Sequence, residues 1–232
     1  MERIDKVVGT FERKVQEPKA TIPDAVKKRL PRYHRYLGDL LREGRGRISS
    51  KELSEMMNVT ASQIRQDLNC FGGFGQQGYG YNIKYLHGKI SELLGTEEGY
   101  KAIIVGAGNL GKALAATHMF ERRGIERVAM FDVDGGKIGT SIYGLPVLDT
   151  KDLFEFCKSE GIDIGVLTVP KEAAYEVALT MSRAGVKGIW NFANMELHLP
   201  DEETIVENIH LGDSLLSLCY EIKTQSEEKD NQ

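Results

Sequence analysis

Gly106-Ala107-Gly108-Asn109-Leu110-Gly111 has the spacing of a backbone turn that receives a pyrophosphate. The first glycine permits the tight turn, the second lets N–H groups approach the phosphates, and the third lets a helix pack closely on a strand. A helix starting there adds free N–H groups and a partial positive charge. Asp132 follows Gly111 by 21 residues, with Val133 beside it. That is the spacing of an acid that accepts bonds from a ribose 2′-hydroxyl and repels a 2′-phosphate. The expected ligands are therefore NAD+ and NADH rather than their 2′-phosphorylated counterparts. The imidazoles of His118, His198 and His210 read first as ordinary surface or helix histidines. Neither a catalytic residue nor a metal-binding set is expected.

Positioning this turn requires a strand, a helix and a second strand. Ile103-Ile104-Val105 and Val128 to Phe131 are runs of strand formers, and Lys112 to Arg123 reads as the helix between them. The alternation then continues. Val147 ends a short strand, Lys151 to Ser159 is helical, and Ile164 to Val169 is a strand stopped by Pro170. Glu172 to Arg183 is helical, and Gly188 to Trp190 is a strand leading into Asn191-Phe192. This is an α/β chain with a Rossmann-like, doubly wound parallel sheet. Ligands of such sheets collect at strand ends, so Thr168, Val169, Pro170, Asn191 and Phe192 are candidate walls of the crevice.

Composition agrees with a soluble globular protein. The 232 residues are 41% hydrophobic and 28% charged. No run approaches the ~18 apolar residues of a membrane span, and Met1 to Lys6 has no leader-like apolar core. The three cysteines Cys70, Cys157 and Cys219 have no metal spacing and suggest a reducing cytoplasm. Charge is divided unevenly. Residues 1–95 carry 17 Lys and Arg against 11 Asp and Glu, and residues 96–232 carry 13 against 23. A head of +6 before a body of −10 directs any polyanion to the head.

That head reads as a DNA-binding domain over residues 21–95, behind a mobile arm at 1–20. Val26, Leu30, Tyr33, Tyr36, Leu37, Leu40 and Leu41 recur at helical spacing after Pro23, with Pro31 expected to kink or split the run. Ser49-x-x-Glu52 opens one short helix to Met57, and Thr60-x-x-Gln63 opens another from Ala61 to Phe71. Only Asn58-Val59 separates them, which suggests a helix-turn-helix. Ala61, Ile64, Leu68 and Phe71 should face inward. Ser62, Arg65, Gln66 and Asn69, with Gln63 at the side, should face base edges and phosphates. Ser49 and Lys51, Thr60, and Gln77, Tyr79 and Tyr81 of the following stretch complete the candidate DNA contacts. Phe71 to Tyr81 contains five glycines and reads either as a hairpin wing or as a flexible linker. Its place after three helices favours the wing. Lys84 to Leu94 closes the domain.

The nucleotide domain is expected over 96–208. Residues 209–222 form a terminal helix with too wide an apolar face to stand alone, through Leu215, Leu216, Leu218, Cys219 and Ile222. A partner subunit is expected to cover it. Residues 223–232 read as a disordered tail.

From Ile22 to about Ile222 these segments resemble the Rex family of bacterial redox-sensing transcriptional repressors. The resemblance is carried by Arg47 to Leu53, Thr60 to Leu68, Phe71-Gly72, Gly78 to Tyr81, Gly106 to Gly111, Phe131 to Asp134, Leu167 to Pro170 and Asn191 to Ala193. It implies a homodimer with an N-terminal winged helix, a C-terminal Rossmann domain and a terminal helix swapped onto the partner. It also implies that NADH rotates the subunits away from an inverted-repeat, double-stranded operator, whereas NAD+ leaves the DNA-binding form. Three departures stand out. Gln66 replaces a usual lysine, and Gln77 replaces a usual arginine or lysine of the wing. Thr117 and His210 stand where many members have a tyrosine and an aspartate around the nicotinamide. Redox discrimination is therefore expected near Thr117, His210 and Leu211, in altered form. The rival readings are an NAD-dependent oxidoreductase and a CoA-binding module without DNA binding.

Overall fold

Pro31 decides how the chain begins in the computed structural model, which describes residues 22–72, 75–76, 79–200 and 203–230. It sits in the first turn of α2 (Leu30–Arg42) and separates that helix from the single turn α1 (Asp24–Lys27). Proline lacks the N–H a continuous helix would need there, so the split occurs as the sequence predicts. Val26, Leu30, Tyr33, Leu37 and Leu40 form the buried face.

After strand β1 (Arg47–Ile48) comes α3 (Ser50–Met57), opened by a complete capping box. Ser49 Oγ accepts from the Glu52 N–H at 3.1 Å, and Glu52 Oε2 accepts from the Ser49 N–H at 2.9 Å. That N–H, the Arg45 guanidinium and the Ser49 hydroxyl hold the Glu52 carboxyl down to about 2. Asn58 closes α3 in the left-handed conformation, φ 49°. Helix α4 (Ala61–Asn69) is capped by Thr60 Oγ1, which accepts from the Gln63 N–H at 3.1 Å. It ends two residues short of the expected Phe71, because Gly72 and Gly73 follow and cannot support another turn.

The glycine-rich stretch is a wing. β2 (Gly75–Gln76) and β3 (Gly80–Asn82) join β1 in an antiparallel sheet of order β1-β3-β2. Gly80 has φ 68°, and a Cβ there would lie 2.6 Å from the Ile48 carbonyl oxygen, so only glycine lets β3 approach β1. Gln77 lies outside the described residues. Helix α5 (Ile83–Leu94), capped by Asn82, packs on α2 and completes the core.

The chain divides into two compact units after Gly95. In the second, β4 (Lys101–Val105), α6 (Asn109–Ala116), β5 (Glu126–Asp132), β6 (Ser141–Ile142) and β7 (Leu145–Asp149) come first. They are followed by α7 (Leu153–Glu160), β8 (Ile164–Leu167), α8 (Lys171–Arg183), β9 (Gly188–Asn191), β10 (Ile205–Asn208) and α9 (Leu211–Asp230). The sheet order is β10-β9-β8-β4-β5-β7-β6, parallel except for β6. Alternation along β4 sends Ile103 and Val105 to the face covered by α7 and α8, and Ile104 to the face shared with Ala115 of α6. The chain leaves β4 toward β5 and returns to β8 on the other side. This reversal opens the crevice beyond the carboxyl ends of β4 and β8.

Four details differ from the sequence reading. α6 stops at Ala116 rather than running to Arg123, because Thr117 is extended and its hydroxyl donates back to the Leu114 carbonyl at 2.9 Å. Val147 lies in the middle of β7, which is entered from β6 through a turn with positive φ at Tyr143 and Gly144. Ile205–Asn208 is an additional edge strand. The polar segment after Lys223 continues α9 to Asp230 instead of ending in a disordered tail. Its Lys, Glu and Gln side chains are good helix formers, and Lys223 pairs with Glu227 one turn on at 3.6 Å.

Candidate functional site

The three glycines of the turn have different surroundings. Gly106 has φ 106°, and a Cβ on it would meet the Thr168 carbonyl oxygen at 2.7 Å. A Cβ on Gly111 would lie 1.9 Å from the Gly106 carbonyl oxygen. A Cβ on Gly108 would meet nothing within 4 Å. The first and third glycines are thus needed by the turn itself, and the second leaves room for a ligand. Gly108 also begins α6 without a side-chain cap, so the first-turn N–H groups are left for an anion. The Asn109 side chain is exposed at this opening, whereas Leu110 is half-buried. This cradle fits the pyrophosphate of a dinucleotide.

Asp132 ends β5 and reaches back to the turn. Its Oδ2 accepts from the Ala107 N–H at 2.8 Å and lies 3.1 Å from Lys137 Nζ. Its Oδ1 accepts from the Asp134 N–H at 2.9 Å. Burial alone would raise the carboxyl, but the Asp134 N–H, the Lys137 ammonium and the Ala107 N–H hold it below the usual carboxylate range. Val133, the next residue, is 80% exposed and offers an apolar surface beside the acid. Lys137 is the residue the sequence reading missed. No motif marks it, although its place five residues after the acid puts it on the same turn.

The expected walls divide. Thr168 is committed to the turn, because its hydroxyl lies 2.8 Å from the Gly106 carbonyl and 3.0 Å from that of Val105. It positions the cradle rather than offering its hydroxyl to a ligand. Val169 is half-buried against the core, while Pro170 is exposed and begins α8. Asn191 needs correcting: its side chain is fully buried and internally bonded. Nδ2 donates to the Asn208 side chain at 2.8 Å and the Met195 carbonyl at 3.0 Å, and Oδ1 accepts from the Ala193 N–H at 2.9 Å. Phe192 is half-buried and edge-on to Trp190, ring centroids 4.5 Å apart.

Thr117 and His210 are each engaged elsewhere. Thr117 closes α6, whereas His210 Nε2 lies 3.0 Å from Glu196 Oε1. The other Glu196 oxygen accepts from Asn208 Nδ2 at 3.0 Å. Asn191, Asn208, Glu196 and His210 therefore form one chain of bonds from the end of β9 to the root of α9. Leu211 begins that helix, 61% exposed.

In the first unit most of the residues expected to contact DNA lie at the surface. Lys51, Ser62, Arg65, Gln66, Asn69 and Tyr79 are exposed, as is the capping residue Thr60. Ser49 is half-buried and its hydroxyl is tied to Glu52. Two residues depart from the expectation. Gln63 turns inward, where its Nε2 donates to Asp67 Oδ1 at 2.7 Å. Tyr81 is buried, because β3 alternates and puts it against the core.

Asp67 went unnoticed in the sequence, yet it holds α4 in place. Arg29 donates to both its oxygens, Nε at 2.6 Å and Nη2 at 2.8 Å, and the Tyr33 hydroxyl donates to Oδ2 at 2.8 Å. Arg32 Nη2 reaches the Met57 carbonyl at 2.6 Å and holds the end of α3. Arg47, exposed on β1, donates to the Tyr79 carbonyl of the wing at 3.2 Å. Among the described residues no cluster of three metal-ligating groups occurs, and no helix is long and apolar enough to cross a membrane.

Two family models match the chain: a putative DNA-binding protein N-terminus over residues 21–69 and a CoA binding domain over 97–195. The chain is 53% identical over 199 residues to the redox-sensing transcriptional repressor Rex of Clostridioides difficile (strain 630), covering 86% of this chain and 94% of that one. It is 47% identical over 211 residues to the protein of the same name from Clostridium tetani (strain Massachusetts / E88), covering 91% and 100%. The chain is also similar to solved structures. RSP in complex with β-NAD+ and operator DNA gives 47% identity and a TM-score of 0.83, covering 90% of this chain and 96% of that one. RSP in complex with β-NADH gives 43% and 0.83, covering 91% and 99%.

Proposed function

The chain belongs to the Rex family of redox-sensing transcriptional repressors, and from that premise we propose that it represses transcription from inverted-repeat operators and is released by NADH. One observation carries the reading: an exposed recognition face on α4 and a phosphate cradle open at Gly108 occur on a single chain. Gly106 to Gly111 hold the pyrophosphate, Asp132 the adenosine ribose, and Val133 flanks the adenine. Ser62, Arg65, Gln66 and Asn69 read DNA. Lys51, Thr60 and Tyr79, with Arg47, meet phosphates.

The working form is a homodimer in the cytoplasm. α9 exposes Leu211, Leu215, Leu216, Leu218, Tyr220 and Ile222, each at least 55% accessible, a face that a second copy of the chain buries by exchange of this helix. The dinucleotide acts as a message rather than a reactant. The oxidised nicotinamide is cationic and the reduced one neutral, so a closing apolar site disfavours the former by desolvation. Two cations across a dimer axis would also repel. A few kcal/mol of differential affinity suffices to move the dimer between two arrangements.

The test is a gel shift on A/T-rich inverted repeats at varied NADH/NAD+ ratios. A retained complex in NAD+ that disappears with NADH is the expected result. Failure to bind DNA, or indifference to NADH, sinks the reading. The match to a CoA binding domain favours a second reading, a CoA-responsive module, which release by CoA but not by NADH would support.

His210 gives a sharper expectation. The site has a carboxylate here, but Glu196 supplies it, 3.0 Å from the imidazole. His210→Asp would set two carboxylates side by side and loosen the root of α9. The NADH/NAD+ affinity ratio, read by titration, should change about fivefold. An unchanged ratio would show that the pair has no part in discrimination.

A further inference from the structure

Arg65 is the single cationic side chain of α4, and it lies on the exposed face of that helix. A long arginine at a surface samples many rotamers, and one left free must be ordered when it binds. Arg65 is not left free. Its Nη1 donates to Ser50 Oγ at 3.2 Å, from the middle of α4 to the first residue of α3. Ser49, the neighbour, has its hydroxyl bonded to Glu52 within the capping box. A second observation places the same guanidinium beside the wing. Burial raises the Tyr81 hydroxyl above its ordinary value, and the positive charge of Arg65 draws it back down. The neighbouring arginines are engaged otherwise. Arg45 pairs with Glu52 at 2.7 Å, and Arg47 donates to the Tyr79 carbonyl of the wing at 3.2 Å.

We propose that Ser50 is a positioning residue for operator recognition, holding Arg65 in the direction from which it reads a base edge. This inference rests on the reading of α4 as the recognition helix. A guanidinium is planar, with five N–H donors in a fixed fork. With Nη1 engaged by Ser50, the edge formed by Nε and Nη2 keeps two parallel donors, the pattern that a pair of acceptors on a base edge requires. The tie is neutral. A hydroxyl leaves the charge of Arg65 whole, whereas a carboxylate at this place would cancel its attraction for DNA. Ordering the side chain before DNA arrives removes part of the entropy that binding must otherwise overcome. The benefit belongs to the sequence-specific complex. On unrelated DNA a guanidinium meets phosphates by charge and needs no fixed direction.

The experiment is a fluorescence-anisotropy titration of the full chain, with NAD+ present, on two labelled duplexes. One is an A/T-rich inverted repeat retained in the gel shift, and the other is a scrambled duplex of equal length. Ser50→Ala should weaken the inverted repeat by about tenfold, about threefold for each half-site, and the scrambled duplex by less than about twofold. Ser50→Thr keeps the hydroxyl and should restore binding to within about twofold of wild type. In an Arg65→Ala background, Ser50→Ala should have no further effect beyond about twofold, because the group it positions is gone. Three results would overturn the proposal: equal losses on both duplexes, no loss on the inverted repeat, or a tenfold loss that persists without Arg65. The last would mean that Ser50 acts on DNA directly or through the fold. A wild type that binds no inverted repeat would instead refute the recognition helix itself.

Discussion

Asp67→Ala should destabilise the N-terminal unit by about 3 kcal/mol and abolish operator binding, although Asp67 itself is turned away from the recognition face. Its side chain is 1% exposed and receives four hydrogen bonds, two from Arg29 and one each from Tyr33 and Gln63. Removing one partner of a buried ion pair costs about 3–5 kcal/mol because the other charge is left stranded. Arg29 keeps a quarter of its surface in water, which places the cost near the lower end. For a unit of this size about 3 kcal/mol corresponds to a fall of roughly 15 °C in Tm. Calorimetry on the variant measures it, and a Tm within about 3 °C of wild type would contradict the assignment. Tyr33→Phe removes one bond and should cost only about 1 kcal/mol.

The same carboxylate sets a pH dependence. Burial pushes the Asp67 carboxyl up, but the bonds from Arg29, then Gln63 and Tyr33, outweigh it and leave the group below its ordinary value. A depressed carboxyl contributes its full stabilisation above the unfolded value of about 3.9. The contribution is lost as pH falls through the lower folded value. The gap in stability between wild type and Asp67→Ala should therefore be constant above about pH 5 and narrow below about pH 4. A gap that narrows instead near neutrality would point to another group.

What the sequence made legible was local. A capping box needs residues three apart, and Ser49 with Glu52 forms one as read. The glycine turn needs six consecutive residues, and its strand, helix and acid follow at short range. Asp67 was invisible because its partners Arg29 and Tyr33 lie 38 and 34 residues away, at the cap and in the first turn of another helix. Tyr81 was assigned to the DNA surface because a glycine and aromatic run does not show its register. The pairing of Ile48 with Tyr81 fixes that register and sends the ring inward. Asn191 was placed in the crevice by its position at a strand end, but its amide is consumed by Asn208, 17 residues on. Edge strand β10 escaped notice because Ile205, its first residue, is exposed, and four residues show no period. In each case the deciding partner lay outside the window over which a pattern can be read.

Gly108→Ala should leave the fold intact and destroy the response to NADH. Its backbone, φ −78° and ψ −170°, is open to any residue, and an added Cβ would find empty space. The cost in stability is therefore expected to be under about 0.5 kcal/mol. The methyl group would stand where backbone N–H groups meet the pyrophosphate. NADH affinity should fall by about a hundredfold, and the variant should stay on operator DNA at NADH levels that release the wild type. Gly106→Ala provides the contrast. Positive φ and an approach of 2.7 Å to the Thr168 carbonyl oxygen should cost about 2–4 kcal/mol in the fold itself. Loss of NADH binding in that variant would accompany a lowered melting temperature. If Gly108→Ala also melts early, the open space is needed by the fold. If it binds NADH normally, the pyrophosphate lies elsewhere. Only a stable variant that fails to bind separates the glycine that shapes the turn from the glycine that receives the ligand.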